Sequence, residues 1–191
     1  LKGFPAMAVT TLISSSPVMV YAGQELGEDA HEAEGFSGFD GRTTIFDYWK
    51  VDSLCRLQSS DYRLQVGDNA IFDLYRRLIG MANSEVVAEG KFYDLMWLNQ
   101  RNPQFDSFRQ YAFVRYTDKE VLLVVANFAG EERNVRLNLT HHLFEAMGRE
   151  AFGKVVAQDL MTDITAELNF SADEPVEIVL KPYQVCAYLI K

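Results

Sequence analysis

The chain has 191 residues, 48% of them hydrophobic and 24% charged, with a formal net charge of −9. Such values describe a globular chain with room for one ordinary domain or one and a half small ones, and they exclude wholesale disorder. The acidic balance argues against nucleic-acid and anionic-membrane partners, which need a basic face.

Both halves share that balance. Residues 1–90 carry 7 basic and 13 acidic side chains, and residues 91–191 carry 11 and 14. The apolar stretches, such as Pro17 to Ala22, are too short to cross a bilayer. The two cysteines, Cys55 and Cys186, form no CxxC pair and no disulfide framework. Each reads as a buried apolar side chain, and the compartment stays open.

In chain order, residues 4–14 are predicted as a helix. Pro5 suits its first turn, and Ala6, Met7, Val9, Leu12 and Ile13 follow with little polar interruption. Ser14 to Pro17 break it. Val18 to Ala22 then form a continuous apolar run, the pattern of a parallel strand covered on both sides. Residues 24–67 read as a long loop with short helical turns, and loops of that length are usually functional. Five acids fall within ten positions there, from Glu25 to Glu34.

Residues 68–82 return to helical period. Ile71, Leu74, Leu78 and Ala82 share a face, Asp68 is placed as N-cap, and Arg76 and Arg77 lie toward the C-terminal half, where the helix dipole favours cations. From Lys91 the period is two. Val135, Leu137 and Leu139 alternate with polar residues, as do Val176, Ile178 and Leu180. The segments 111–116, 121–128 and 183–190 are apolar in both registers and read as central strands. Turn signals separate them, so residues 89–191 are predicted as an antiparallel sandwich, with a helical excursion at 141–151.

One buried parallel strand is not a sheet. Its partners are expected upstream of Leu1, which makes residues 1–88 the end of an α/β domain rather than a whole one.

At this point the motifs carry a resemblance. Pro17, Tyr21, Gly23, Glu25 and Gly27 match the last barrel strand of the alpha-amylase family, the family 13 glycoside hydrolases, whose pattern there is Gly-x-Pro-x-x-Tyr-x-Gly-x-Glu followed by an aliphatic residue and Gly. Ser15 stands where the family has Gly. Asp40-Gly41-Arg42-Thr43 resembles the Gly-Arg-Thr stretch of the following loop. Leu74 to Ile79 resembles the last barrel helix, although Met81 to Ser84 replace its usual Arg and Pro. Val121 to Phe128 is similar to the family's Val-x-Asn-Phe strand, and Leu180 to Tyr183 fits its final hairpin.

The resemblance implies the terminal βα piece of a TIM-type (β/α)8 barrel over 1–88, followed by an antiparallel β-sandwich over 89–191. It implies a parent that cleaves or transfers α-glucosidic bonds with two carboxylates held about 5–5.5 Å apart. The family draws those carboxylates, and a third that grips substrate, from strands upstream of the one matched here. The chain is therefore expected to hold no catalytic residue and to be inactive alone. Its partners would be the upstream barrel of the same parent and an α-glucan or oligosaccharide reached through that barrel.

The C-terminal end of the last strand faces the mouth of such a barrel. Arg42 is the leading substrate binder, because a guanidinium fork holds hydroxyls and orients carboxylates. The competing reading is a surface arginine paired with the acidic loop. Asp40 is the weaker candidate, since Asp before Gly is most often a turn residue.

Glu25 is read as structural. Glu28, Asp29, His31, Glu32 and Glu34 offer oxygen ligands suited to calcium but lack EF-hand spacing, so neither metal nor cofactor is expected. Tyr48, Trp49 and Trp97 are weighed as sugar platforms against packing. His141 and His142 are read as surface or helix start. Two rival readings are a non-catalytic carbohydrate-binding module, which needs exposed sandwich aromatics, and a structural or interaction protein of the same fold. Tyr111, Phe113 and Phe128 fall in registers that look buried, which counts against the module.

Overall fold

A computed structural model describes residues 2–21, 23–28 and 70–191. They divide between two units. One holds the described residues within Pro17–Arg77; the other joins Lys2–Ser16 to Leu78–Lys191.

Helix α1 spans Phe4–Leu12, with Pro5 in its first turn, where the missing N–H costs nothing. Phe4, Ala8, Thr11 and Leu12 are buried, at the i, i+4, i+7 and i+8 positions of one helical face. Helix α2 spans Ala70–Ala82, and Tyr75, Leu78 and Met81 are its buried residues. Arg76 and Arg77 are not in its last turn. They sit mid-helix and grip Asp73 one turn earlier, at 2.5 and 3.0 Å, so a local ion pair rather than the dipole fixes them. These bonds, Arg76 first and then Arg77, hold the Asp73 carboxyl below the usual carboxylate range.

The strand expected over 18–22 is not formed by its described residues. Residues 17–21 pair with no strand, and Met19 is 82% exposed. An apolar run becomes a strand only when a neighbour completes its hydrogen-bond ladder, and among the described residues none does.

The second unit carries the sandwich. Its strands are β1 (Lys91–Asp94), β2 (Gln110–Tyr116), β3 (Val121–Asn127), β4 (Arg133–Leu137), β5 (Gly153–Asp159), β6 (Thr165–Phe170), β7 (Val176–Leu180) and β8 (Val185–Ile190). Six form one sheet in the order β1-β2-β3-β8-β5-β6, and β4 pairs with β7 in a second sheet; every pairing is antiparallel. Short helices α3 (Glu85–Ala88), α4 (Met96–Asn99) and α5 (His141–Met147) lie in the connections.

The core sits between the sheets. Ala112, Val114, Leu123 and Val125 face Val135, Leu137, Ile178 and Leu180, with Leu143, Phe144 and Met147 of α5 and Phe170 closing one side. Each such aliphatic side chain contributes about 1.5–3 kcal/mol by leaving water. The period-two pattern read at 135–137 and 176–180 points into this core.

Strand β3 is buried at every position because its other face is covered too: α1 packs on β3 and α3 on β2. Arg115 of β2 projects to that side. It donates to the carbonyls of Ile13 at 3.1 Å, Val87 at 2.5 Å and Gly90 at 2.6 Å, joining three segments with one guanidinium.

Two details depart from expectation. The stretch Leu180 to Tyr183 makes no hairpin: β7 pairs with β4 while β8 pairs with β3 and β5, so the chain arches from one sheet to the other. Phe128, just past β3, is partly exposed rather than buried, while Phe113 is fully buried. The strand ends at Asn127; the Phe128 amide still donates to the Arg109 carbonyl at 2.8 Å, but its side chain lies at the open edge.

Asn127 is what shapes the arch. Its Nδ2 donates to the carbonyls of Glu131 at 2.9 Å and Lys181 at 3.0 Å, and its Oδ1 accepts from the amide of Ala129 at 3.0 Å. The His pair starts α5 as read: Thr140 caps it by accepting from the amide of His142 at 3.2 Å.

Candidate functional site

The sequence Tyr21-x-Gly23-Gln24-Glu25-Leu26-Gly27 folds into a single 3-10 turn over Gln24–Leu26. Gly23 and Gly27 flank it at φ 84° and 77°, the left-handed region where a side chain costs about 1–2 kcal/mol. The amides of Gln24 and Leu26 donate to the carbonyls of Tyr21 and Gly23 at 2.9 and 3.0 Å, and the amide of Glu28 closes back on Gly23 at 3.0 Å. A Cβ on Gly27 would stand 2.7 Å from Ile71 Cδ1, so the glycine also permits a close approach to α2.

The turn is tied through Gln24. Its Oε1 accepts from the amide of Tyr21 at 3.1 Å, and its Nε2 donates to the Tyr75 phenol oxygen at 2.7 Å. Burial pushes the Tyr75 phenol above its ordinary range; the Gln24 bond works the other way, and the Glu25 charge adds to the rise. Tyr75 therefore stays a neutral phenol at ordinary pH. Glu25 is half-buried beside it. The Gln24 amide and the buried Tyr75 phenol are thus spent on each other in tying the turn to α2, and Glu25 is a half-buried carboxylate on the turn; these groups do not form a nucleophile with its base.

Asp40 and Arg42 lie outside the described residues, as do Asp29, His31, Glu32, Glu34, Tyr48, Trp49, Cys55 and Asp68. Among the described residues no group of three or more His, Cys, Asp or Glu side chains is placed to hold a metal ion. No helix there is long and apolar enough to cross a membrane.

Trp97 is exposed, and so are Phe92, Phe108 and Phe128. Sequence reading passed over Phe108, although a lone aromatic in the polar run Asp106-Ser107-Phe108-Arg109 was the available signal. It also missed the Tyr75 anchor, because a tyrosine on an apolar helix face reads as core until its hydroxyl partner is seen.

The sequence matches no family model and no curated protein. Solved structures do match the fold. The chain is similar to a maltogenic alpha-amylase, AmyB, from Thermotoga neapolitana at a TM-score of 0.62 and 16% identity, over 99% of this chain and 36% of that one. It is similar to AmyP, solved with maltose, at 0.59 and 15%, over 98% and 34%. The alpha-amylase of Geobacillus thermoleovorans, solved with acarbose, matches at 0.54 and 14%, over 98% and 32%. The structural neighbours are thus alpha-amylase-family glycoside hydrolases, and the chain has the fold of part of such an enzyme. It spans about a third of the length of the structures it matches. That coverage is consistent with a C-terminal portion ending in the sandwich.

Proposed function

We propose that this chain is the C-terminal part of an alpha-amylase-like glycoside hydrolase acting on α-glucans or related oligosaccharides. The observation that carries the reading is the coincidence of two independent signals. Five family-like motifs occur in family order along the sequence, and the fold of the chain matches an alpha-amylase over nearly all of its length. Maltose and acarbose, bound by two of those enzymes, supply the substrate class.

In this reading residues 1–88 close the catalytic barrel and residues 89–191 form the sandwich that braces it. The Gly23–Gly27 turn stands at the barrel mouth, Arg42 and Asp40 bind the sugar, and the carboxylates that break the bond lie upstream. The chain alone is then inactive, and its first partner is the upstream barrel of its own parent.

The test compares this chain with the longer reading frame that contains it, both incubated with maltoheptaose. Hydrolysis or glucosyl transfer by the longer protein, and none by the chain, is expected. Turnover by the chain alone overturns the division of labour, and no turnover by the longer protein overturns the glycosidase reading. An Arg42→Ala change in the longer protein is expected to raise KM about tenfold or more, as loss of a charged hydrogen-bonding partner does.

A further inference from the structure

We infer that a groove beside Phe108, on the sandwich unit, binds a short α-glucan segment, stacking one sugar ring on the Phe108 face and holding its hydroxyls with the side-chain amides of Gln100, Gln104 and Asn134. The α-linkage rests on the proposed function; the groove itself does not.

Phe108 is 98% exposed, which forgoes the whole hydrophobic return of a phenylalanine. The ring is not on a loose tip. Asp106 Oδ1 accepts from the amide of Phe108 at 3.2 Å, and the Asp106 carbonyl accepts from the amides of Arg109 and Gln110 at 3.0 and 2.7 Å. Buried Gln110 locks the turn from below, its Oε1 accepting from the amide of Asp106 at 2.8 Å. The backbone that carries the ring is thus fixed, and the ring stands in water at the edge of the groove, an apolar face that a sugar ring can cover.

The space beside it suits the same ligand. Phe108 lines a groove of about 450 Å³ with Gln100, Gln104, Ser107, Arg133 and Asn134 among its walls. That is within the range of small-molecule sites. The side chains of Gln100, Gln104, Ser107 and Asn134 have no hydrogen-bond partner among the described residues. Amides donate and accept at once, as hydroxyl-rich ligands require.

Charge narrows the choice. Glu131 offsets the Arg133 charge by pairing with its terminal nitrogen, and Asp106 is also among the groove's walls, so an anionic ligand such as a phosphate is disfavoured. A neutral, polyhydroxylated ligand with a flat apolar face remains: a pyranose chain.

The experiment titrates the whole chain with maltoheptaose and, separately, with cellohexaose, following backbone amides by NMR. Saturable shifts at residues 100–110 and 133–134 with maltoheptaose are expected, weakened about tenfold by Phe108→Ala, as loss of an aromatic stacking partner implies. Since Phe108 touches water on nearly every side, that variant is expected to keep the parent's melting curve, which a circular dichroism scan checks. A Gln104→Ala, Asn134→Ala double variant keeps the platform and removes amides; it is expected to weaken binding several-fold. Shifts with cellohexaose in place of maltoheptaose, still lost in Phe108→Ala, uphold a sugar groove and overturn its α-glucan assignment. No shift with either sugar, or maltoheptaose shifts indifferent to Phe108→Ala, overturns the groove while leaving the turnover test of the proposed function untouched.

Discussion

Gln24 donates from its side-chain amide to the phenol oxygen of Tyr75 across 2.7 Å, joining positions 51 apart in sequence. One bond thereby holds the glycine-flanked turn onto α2. The family-like motif and helix α2 are two ends of one local structure.

Removing that bond is expected to cost about 1 kcal/mol, since a half-buried neutral hydrogen bond contributes on that scale. Tyr75→Phe and Gln24→Ala should each raise hydrogen exchange at the amides of 24–28, and the double variant should be no worse than the sum of the two. The pH dependence has a definite sign. Burial raises the folded-state phenol pKa, so its stabilising contribution is complete below the ordinary value of 10.0 and is lost as pH climbs past it. Denaturation midpoints measured at pH 8 and pH 11 should differ less in Tyr75→Phe than in the parent.

Gly27→Ala meets two obstacles, a left-handed φ and the Ile71 Cδ1 atom. A loss of about 1–3 kcal/mol is expected. Adding Ile71→Val, which withdraws the clashing methyl, should recover part of it in a urea melt. The unrecovered part measures the backbone strain.

Arg115 is buried and, among the described residues, donates only to carbonyls, with no carboxylate opposite it. Desolvation lowers its pKa from the ordinary value, but the guanidinium keeps its charge. Arg115→Ala strands three carbonyls and is expected to cost roughly 3 kcal/mol or more. Arg115→Lys cannot reach three carbonyls from one ammonium and should recover less than half of that loss in the same urea titration.

Asn127→Ala should destabilise the sandwich by roughly 3 kcal/mol, because three main-chain groups lose a buried partner. Asn127→Asp should be worse, as it sets a carboxylate against two carbonyls. Its deficit should shrink on acidification, when a protonated carboxyl can donate again; melts at pH 5 and pH 8 check this.

Cys186 is buried in β8, and burial first, then the Asp159 charge, pushes its thiol up to about 12. In the native chain the peptide bearing Cys186 should stay unlabelled by a maleimide at pH 8 and be labelled fully after denaturation. The thiol's contribution to stability is present below its ordinary value of 9.0 and falls away as pH rises from there towards 12.

Much of this fold is legible in the chain itself. The alternation at Val135 and Leu137 and at Val176, Ile178 and Leu180 fixes which side of each strand is wet, because side chains on a strand alternate faces whatever they pack against. Helices α1 and α2 follow from apolar spacing and from Pro5, both local properties.

Pairing is not local. Lys181 and Pro182 mark a reversal, but only the tertiary structure decides that the chain passes between sheets there, held by an asparagine 54 positions away. The run Val18 to Ala22 shows the same limit from the other side: apolar residues supply the strand's faces, yet its ladder must come from another strand. Exposure is likewise collective. Nothing in Phe113 and Phe128 alone separates the buried ring from the exposed one, or marks Phe108 as a platform, since burial depends on what the rest of the chain lays over each residue.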